Sequence, residues 1–500
     1  MKRPAATVMV LGCTSGAGKS WLATALCRWY ARQGLRVAPF KAQNMSNHAR
    51  VVPATAGRPA GEIGSAQYFQ ALAARAEPDV RMNPVLLKPE ADTRSQVVLL
   101  GQVRPELTTM PWRERSQHLW PAAEAALQSL REEVDVLVIE GAGSPAEINL
   151  ATSDYVNTRT ARAAEAACLL VADIDRGGAF AHLYGTHALM DAQVARQVRG
   201  FVLNRFRGDA GLLAPAPAQL HRLTGVPTVA VVPMQRDHGL PEEDAVPTSH
   251  AAASGPQVVV LATPHASNLD EFEPLRQAGV SLHFSRDAAT LRAADWLVLP
   301  GSKHSRADAQ WLRDQGLDAV VQAHAASGRP LLAVCGGLQM LGRRLDDPLG
   351  LEGGQPGSMP GLAVLPIATR FEPAKQLTRR QHRFGALQGA WAPLSNLTID
   401  AYEIHLGRSQ LLPAEAGAVA PQPALPAAPT LGWQQGNVLA LYLHGLFESP
   451  AVLQALFGRA PRSLDAVFDG LADVVDTAFE PGVLWSLLDT PIASPLPDTA

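Results

Sequence analysis

The chain has 500 residues, of which 47% are hydrophobic and 18% are charged, so we expect two or three globular domains. Its formal net charge of −3 gives no electrostatic reason to expect nucleic acid or an anionic membrane as a partner. The cysteines Cys13, Cys27, Cys168 and Cys335 are far apart, which is typical of reduced thiols, and no stretch approaches the ~20 apolar residues of a membrane span. These features predict a cytoplasmic protein.

A phosphate-binding loop is predicted near the N-terminus. Residues 6–32 read as an apolar strand, the glycine-rich loop GCTSGAGKS and a helix, which is the context that such a loop requires. In that context backbone N–H groups bind phosphate oxygens, Lys19 adds positive charge and Ser20 ligates Mg²⁺. The alternative is a glycine-rich surface loop without a ligand. The loop residues predicted to bind ATP are Gly12, Gly16, Gly18, Lys19 and Ser20.

Polar side chains follow the next predicted strand, residues 35–40, in the segment KAQNMSN. The carboxyl end of a strand is where an open α/β sheet binds its ligands. We therefore expect Lys41 to reach a nucleotide phosphate, and Gln43 and Asn44 to hold a polar substrate. For any one of these residues, a solvated loop is the alternative.

A carboxylate ends the apolar strand predicted over residues 134–140. Beside a phosphate loop, Glu140 is well placed to bind Mg²⁺ directly or through water, and a solvated strand end is the alternative. Asn204 ends a later strand and is assigned to the ATP site. Strands that alternate with helical segments up to residue 232 predict a doubly wound, mostly parallel sheet.

The second half of the chain repeats this α/β pattern. We expect a first domain over residues 1–237, a linker rich in Pro, Ala and Ser over 238–256, and a second domain over 257–450. Residues 451–500 are expected to form a tail with amphipathic helices and a disordered, Pro-rich end. The Ala- and Pro-rich residues 417–430 are interpreted as a flexible insertion.

A candidate nucleophile lies in the stretch LLAVCGGLQMLG. Its pattern of strand, sharp turn and helix places Cys335 at an elbow, where helix N–H groups favour a thiolate and can stabilise an oxyanion. His444 ends another apolar run and supplies the base that such a thiol needs. The alternative is a buried structural cysteine and a structural histidine.

The motifs CGGLQ, PGSKHS and YLHG resemble those of the class I, or triad-type, glutamine amidotransferases. The resemblance implies that Cys335 attacks the side-chain amide of glutamine, that His444 is its base, and that Gly336 and Gly301 form the oxyanion hole. Where many members have a glutamate two residues after the histidine, this chain has Leu446. The third member of the triad therefore stays open, and we expect slower or more tightly gated glutaminase chemistry.

The phosphate loop resembles that of the dethiobiotin synthetase group, and the whole chain is similar to the cobyric acid synthase family. The motifs that carry this likeness run from the loop through KAQNMSN, GEIGSAQ, EGAGSPAEINL, DIDRGG and NRFRGD to YLHGLF. The resemblance implies two α/β domains. One is a P-loop-type synthetase domain that uses ATP and Mg²⁺, and the other is an amidotransferase domain that uses glutamine. It also implies amidation of the b, d, e and g propionates of the corrinoid adenosylcobyrinic a,c-diamide.

Two other interpretations stay open. A cobyrinic acid a,c-diamide synthase would share both domains but act on acetate side chains. A regulatory ATPase with a degenerate glutaminase domain would explain the missing glutamate after His444. The oligomeric state, the order of the amidations and the corrin-binding residues are not predicted.

Overall fold

The structure is a computed structural model that describes residues 4–55, 57–91, 94–236, 238–241, 255–352, 354–413 and 419–489. The chain divides into two units. The first comprises residues 1–46, 62–240 and 464–500, and the second comprises residues 47–61 and 241–463. Each unit is built on a mostly parallel sheet with helices, which confirms the predicted α/β fold class. Most of the predicted linker, residues 242–254, lies outside the described residues.

A six-stranded parallel sheet forms the centre of the first unit. From edge to edge its strands are Thr228–Pro233, Val198–Phe206, Ala167–Asp173, Ala6–Gly12, Val136–Glu140 and Val37–Phe40. Val136–Glu140 and Ala167–Asp173 are buried throughout, as expected of parallel strands covered on both faces. Ala6–Gly12 lies between these two strands, so the loop after Gly12 begins between their ends.

Helices and a smaller sheet complete the first unit. The smaller sheet contains Gln43–Met45, Val85–Ala91, Arg94–Leu99 and Gln102–Val103, and the strand Gly61–Gly64 returns the chain to this unit. The helices are Lys19–Arg32, Ser65–Ala73, Pro105–Thr108, Trp112–Glu133, Thr160–Ala164, Ala179–Leu189, Ala192–Gln197, Ala216–Thr224, Leu464–Ala478 and Val483–Ser486. The 3₁₀ turns are Val80–Met82 and Ala210–Leu213, and Tyr155–Arg159 is a π-helical turn.

The C-terminal helix Leu464–Ala478 belongs to the first unit and packs on the helix Lys19–Arg32. The Arg28 guanidinium, whose side chain is 1% exposed, donates to Asp465 Oδ1 at 2.5 Å and to Asp469 Oδ1 at 2.8 Å. Phe468 is buried on the apolar face of the C-terminal helix. The end of the chain predicted to be disordered, residues 490–500, lies outside the described residues.

A seven-stranded sheet forms the centre of the second unit. Its strands, in order, are Ser281–Ser285, Gln257–Leu261, Trp296–Leu299, Leu331–Val334, Val438–Leu441, Gly432–Gln435 and Gln422–Pro423. The first five are parallel, and the last two pairings are antiparallel. Leu331–Val334 and Val438–Leu441 are neighbours, so the residues that follow them meet at one edge of the sheet.

A second, four-stranded sheet in this unit was not predicted from the sequence. It contains Gly357–Pro360, Arg344–Asp347, Ile367–Arg383 and Thr398–Leu411, the last two forming a long antiparallel hairpin. The short strands Ala266–Ser267 and Gly301–Ser302 pair with each other, and Ala49–Val52 packs on the hairpin. The helices are Pro274–Gln277, Ala288–Ala293, Ser305–Asp314, Leu317–Ala326, Gly336–Leu341 and Pro450–Phe457, with 3₁₀ turns at Leu269–Phe272, Gly389–Leu394 and Leu446–Glu448.

The flexible insertion predicted over residues 417–430 is wrong for part of its length. Gln422–Pro423 is an edge strand, and Ala424 and Leu425 are 0% and 1% exposed because they pack into the core of the second unit. The composition does not distinguish the two structures, because an Ala- and Pro-rich segment can form a flexible loop or contribute to an edge strand. Within the described ranges, no helix has the length and apolar character needed to cross a bilayer.

The packing of the C-terminal helix can be tested with Phe468→Ala. Removing this side chain, which is 1% exposed, should destabilise the first unit by about 3–5 kcal/mol. Hydrogen exchange of peptides from Lys19–Arg32 should become correspondingly faster. Leu212→Ala is the control, because Leu212 is 82% exposed and its truncation should change stability by less than about 0.5 kcal/mol. Unchanged exchange in Phe468→Ala would contradict the docking of this helix.

Candidate active sites

Cys335 occupies a strained turn between the strand Leu331–Val334 and the helix Gly336–Leu341. Its backbone has φ 50° and ψ −104°, a conformation that a non-glycine residue adopts at an energetic cost and that is typical of functional sites. Its N–H donates to Leu441 O at 2.7 Å, which fixes the turn to the neighbouring strand. The geometry is that of a nucleophile elbow.

The two glycines predicted to form the oxyanion hole lie in crowded positions. A Cβ atom at Gly336 would lie 2.6 Å from Ser302 N, and one at Gly301 would lie 2.9 Å from His444 Cε1. The loop that contains Gly301 is held by Asp308, whose Oδ2 accepts a hydrogen bond from Ser302 Oγ at 2.6 Å. Both positions therefore require glycine, and both lie beside the predicted nucleophile and base.

His444 joins the predicted nucleophile to a carboxylate that the sequence analysis did not identify. Its pKa responds to Cys335, and its Nδ1 lies 2.8 Å from Glu271 Oε1. Glu271 Oε2 accepts from Gly445 N at 2.7 Å, so both carboxylate oxygens are used. Glu271 is 2% exposed. The structure thus places a buried carboxylate on His444, at the position in the array that the sequence left open.

The position where the family commonly has its glutamate is filled by a core residue. Leu446 is 1% exposed, and Glu448 pairs with Arg50 at 2.7 Å instead of with His444. Glu271 precedes His444 by 173 residues and lies in a short turn, Leu269–Phe272. In the sequence, two acidic residues between a leucine and a phenylalanine suggest a buried carboxylate here. They do not indicate that His444 is its partner.

The electrostatics of this array favour a protonated histidine. Burial alone would lower the pKa of His444, but the charges of Glu271 and of the Cys335 thiolate outweigh burial and raise the pKa to about 10. The imidazolium therefore persists across neutral pH and is lost as the pH rises through about 10.

Glu140 is the centre of the second candidate site, at the carboxyl end of the first unit's sheet. Its Oε1 accepts from Ser20 Oγ at 2.8 Å and from Lys41 Nζ at 2.7 Å, and its Oε2 accepts from Gln70 Nε2 at 2.6 Å. Burial raises the pKa of this carboxyl, but Lys41 and the hydrogen bonds lower it below its ordinary value. Glu140 is thus a buried anion that holds three different segments of the chain together.

The glycine-rich loop packs closely against its surroundings. Lys19 Nζ donates to Thr14 O at 3.0 Å and to Gly143 O at 3.1 Å, so its ammonium is held over the loop. Asn204 Nδ2 donates to Ala17 O at 2.9 Å. A Cβ atom at Gly18, where φ is 98°, would lie 1.9 Å from Asn204 Nδ2, so only glycine fits there.

The remaining loop glycines differ in their surroundings. A Cβ atom at Gly12 would lie 2.9 Å from Lys19 Nζ, whereas Gly16 has space and needs glycine for its φ of 71°. Burial raises the pKa of the Cys13 thiol to about 11, so this cysteine in the loop remains protonated. In this loop the neutral Cys13 side chain therefore packs as a small apolar residue would.

Gln43 and Asn44, the predicted substrate residues, are buried in this structure. Gln43 Oε1 accepts from Tyr155 Oη at 2.7 Å, and Asn44 is 4% exposed beside Gly64. Two further residues of this site were not predicted from the sequence. Gln70 donates to Glu140, and Asn157 accepts from Ala142 N at 3.0 Å and donates to Ala142 O at 2.7 Å. Neither residue ends a strand, so the position rule that identified Glu140 did not reach them.

The chain is similar to known proteins over nearly its whole length. Residues 8–245 match the family described as "CobQ/CobB/MinD/ParA nucleotide binding domain", and residues 257–452 match the "CobB/CobQ-like glutamine amidotransferase domain". The chain is 62% identical to the cobyric acid synthase of Leptothrix cholodnii over 98% of both chains, and 62% identical to that of Methylibium petroleiphilum over 97% of both. Among solved structures, a glutamine amidotransferase is 18% identical, with a TM-score of 0.30, over 40% of this chain and 98% of its own.

The triad assignment predicts a specific effect of Glu271→Gln. Loss of this charge should lower the pKa of His444 from about 10, so the imidazolium is lost at a lower pH. We expect the rate of glutamine hydrolysis to fall about 10²- to 10⁴-fold and its basic limb to move to lower pH. Glu273→Gln is the control, because Glu273 directly follows this turn, is 32% exposed and pairs with Arg276. It should change neither the rate nor the pH profile. An unchanged rate in Glu271→Gln would exclude Glu271 from the triad.

Proposed function

The chain belongs to the cobyric acid synthase family, ligases of cobalamin biosynthesis that couple ATP-dependent amidation to a glutamine amidotransferase domain. We propose that its substrate is adenosylcobyrinic a,c-diamide and that it amidates the b, d, e and g propionates. The observation that carries the choice of substrate is the 62% identity to cobyric acid synthases over nearly the whole chain. The array Cys335–His444–Glu271, in a chain whose other unit carries Lys19, Ser20 and Glu140, supports glutamine as the nitrogen donor of an ATP-dependent amidation.

In the proposed glutaminase reaction, the Cys335 thiolate attacks the carboxamide carbon of glutamine. His444 donates a proton to the departing nitrogen, the C–N bond breaks, and ammonia leaves behind a glutamyl thioester. His444 then accepts a proton from water, which hydrolyses the thioester to glutamate and frees the thiolate. Backbone N–H groups near Gly336 and Gly301 are proposed to stabilise the oxyanion of both steps.

The proposed synthetase reaction activates a propionate, because a carboxylate is a poor electrophile. Phosphoryl transfer from ATP gives an acyl phosphate, and ammonia displaces the phosphate to form the amide. The loop of Gly12, Gly16 and Gly18 is proposed to bind the nucleotide phosphates, together with Lys19. Its conformation is supported by Asn204, which holds Ala17 O at 2.9 Å, and by Lys41, which fixes Glu140.

The donor set of this site fits Mg²⁺, which prefers oxygen ligands and retains several waters. Ser20 Oγ and the Glu140 carboxylate lie 2.8 Å apart and are the residues proposed to hold the ion. Lys41 Nζ, 2.7 Å from the same carboxylate oxygen, would repel a directly bound cation, which favours contact through water. A bound Mg²⁺ would neutralise charge on the transferred phosphoryl group.

Gln43 and Asn44 are proposed to hold the polar edge of the corrinoid. Gln43 is oriented by Tyr155 Oη, and Asn44 lies beside Gly64, where a Cβ atom would be 2.5 Å from its Nδ2.

Glu271 also bears on the alternative of a regulatory ATPase. That interpretation depended on the absence of a third triad residue, and a carboxylate 2.8 Å from His444 Nδ1 removes its support.

The function can be tested by mass spectrometry of the corrinoid product. The purified chain is incubated with ATP, Mg²⁺, glutamine and adenosylcobyrinic a,c-diamide, and each amidation replaces an OH group by NH₂. A ladder that ends after four steps is expected. In a parallel incubation with cobyrinic acid, amidation of its two acetate side chains would instead assign the chain to the diamide synthase reaction. ATP hydrolysis without amidation in either incubation would move the substrate to another carboxylate.

The division of labour predicts opposite effects of two substitutions. Cys335→Ala should abolish glutamine-driven amidation and leave amidation from added ammonia intact, because only ammonia release needs the thiolate. Lys19→Ala should abolish amidation from both nitrogen sources, since it removes positive charge from the phosphate site. Lys375→Ala, on the hairpin strand of the second unit, is the control for Lys19→Ala. Loss of ammonia-driven amidation in Cys335→Ala would contradict the proposal that ammonia release and amidation take place at separate sites.

A further inference from the structure

Residues 47–61 belong to the second unit, although the residues on either side of them belong to the first. Their strand Ala49–Val52 is buried along its whole length and packs on the long hairpin. Ala49 N donates to Asn268 Oδ1 at 2.9 Å, which fixes this strand beside the turn that contains Glu271. A segment from the first half of the chain therefore lines the surroundings of the triad.

Arg50 is the charged residue on this strand, and its side chain is 2% exposed. Its Nη2 donates to Asp270 Oδ2 at 2.8 Å and to Glu448 Oε1 at 2.7 Å. Asp270 directly precedes Glu271, and Glu448 N donates to Gly445 O at 3.0 Å. One guanidinium thus ties together the two backbone segments whose atoms hold the Glu271 carboxylate.

Arg50 also contacts the residue that packs on the catalytic histidine. Its guanidinium carbon lies 5.2 Å from the centroid of the Tyr402 ring. That ring stacks on His444, with centroids 5.2 Å apart and planes at 16°. Tyr402 and His444 also exchange backbone hydrogen bonds of 2.9 and 3.3 Å. Three contacts of Arg50 therefore lead to atoms that orient His444.

The local charges explain why a cation is needed at this position. Asp270, Glu271 and Glu448 are three carboxylates close to His444, and two of them are almost fully buried. Burial would lower the pKa of the Arg50 guanidinium, but Asp270 and Glu448 raise it, so Arg50 remains charged. Without Arg50, Asp270 and Glu448 would lose the guanidinium that pairs with both of them, and their negative charge would raise the pKa of the groups around them.

We infer that Arg50 is a positioning residue for glutamine hydrolysis: by pairing with Asp270 and Glu448, it leaves Glu271 as the carboxylate that acts on His444. The inference rests on the proposed function, because it concerns the same triad. The titratable and charged groups that face Arg50 and His444 from the surrounding elements are His48, Asp270, Glu271, Cys335, Arg379, Tyr402 and Glu448.

The test uses Arg50→Met and Arg50→Lys in the full chain, with glutamate release measured as a function of pH. In Arg50→Met, kcat should fall about 10- to 100-fold with a smaller change in KM, because the triad loses its orientation. Loss of a positive charge raises the pKa of the groups around it, so the pH profile should also move to higher pH. Arg50→Lys keeps the charge and should restore the profile and part of the rate.

Two further variants separate an electrostatic role from a merely structural one. Adding Glu448→Gln to Arg50→Met removes the carboxylate left without its cation, so it should recover part of kcat and shift the profile back. Glu448→Gln alone removes a negative charge and should move the profile to lower pH, which keeps the inference testable if Arg50→Met does not fold. Arg58→Met is the matched control, because Arg58 is exposed in the same segment.

The outcomes distinguish this inference from the proposed function. Ammonia-driven amidation by Arg50→Met should stay within about twofold of the unmodified chain, since the synthetase reaction does not need His444. Normal glutamine hydrolysis in Arg50→Met would overturn the inference. So would a lower kcat with an unchanged pH profile, if neither Arg50→Lys nor the added Glu448→Gln restored the rate. An unmodified chain that hydrolyses no glutamine would instead refute the proposed function.

Discussion

Both candidate sites depend on one constraint of a parallel sheet, namely that neighbouring strands end at the same edge. Residues far apart in the sequence therefore meet wherever two adjacent strands stop. Cys335 and His444 follow neighbouring strands of the second unit, and the phosphate loop begins beside the strand that ends in Glu140. Loops at that edge can change their residues while the sheet stays the same, which allows one architecture to support two unrelated reactions.

Each candidate site contains a buried carboxylate that is paired with a basic side chain. Glu140 is paired with Lys41, and Glu271 is paired with His444. Such pairs contribute little net stability, because removing two charges from water offsets most of their attraction. Their value lies in position, since a buried carboxylate with both oxygens bonded has a defined place. In each unit the anion fixes a side chain that must lie close to reacting atoms.

Local sequence patterns identified the parts of these sites that are themselves local. The elbow at Cys335 and the loop before Lys19 are short runs in which glycine, strand and helix signals occur together, so their structures were predictable. The fold class was predictable for the same reason. Glu271 was not, because its role depends on a partner 173 residues away, and nothing in a turn of four residues indicates which histidine it will meet. The hairpin of Ile367–Arg383 and Thr398–Leu411 was missed because its mixed polar and apolar residues resemble a loop.

The placement of residues 47–61 changes how the domains of this chain are understood. The amidotransferase family match begins at residue 257, yet the second unit includes a buried strand from the first half of the chain. This strand lies between KAQNMSN, which carries Lys41, and GEIGSAQ, which leads into the helix of Gln70. Both of those residues donate to Glu140, so in the sequence the segment that carries Arg50 is flanked on each side by residues of the first unit. A domain boundary drawn at the start of the family match, residue 257, therefore leaves out a buried strand of the second unit, because that strand lies about 200 residues earlier in the sequence.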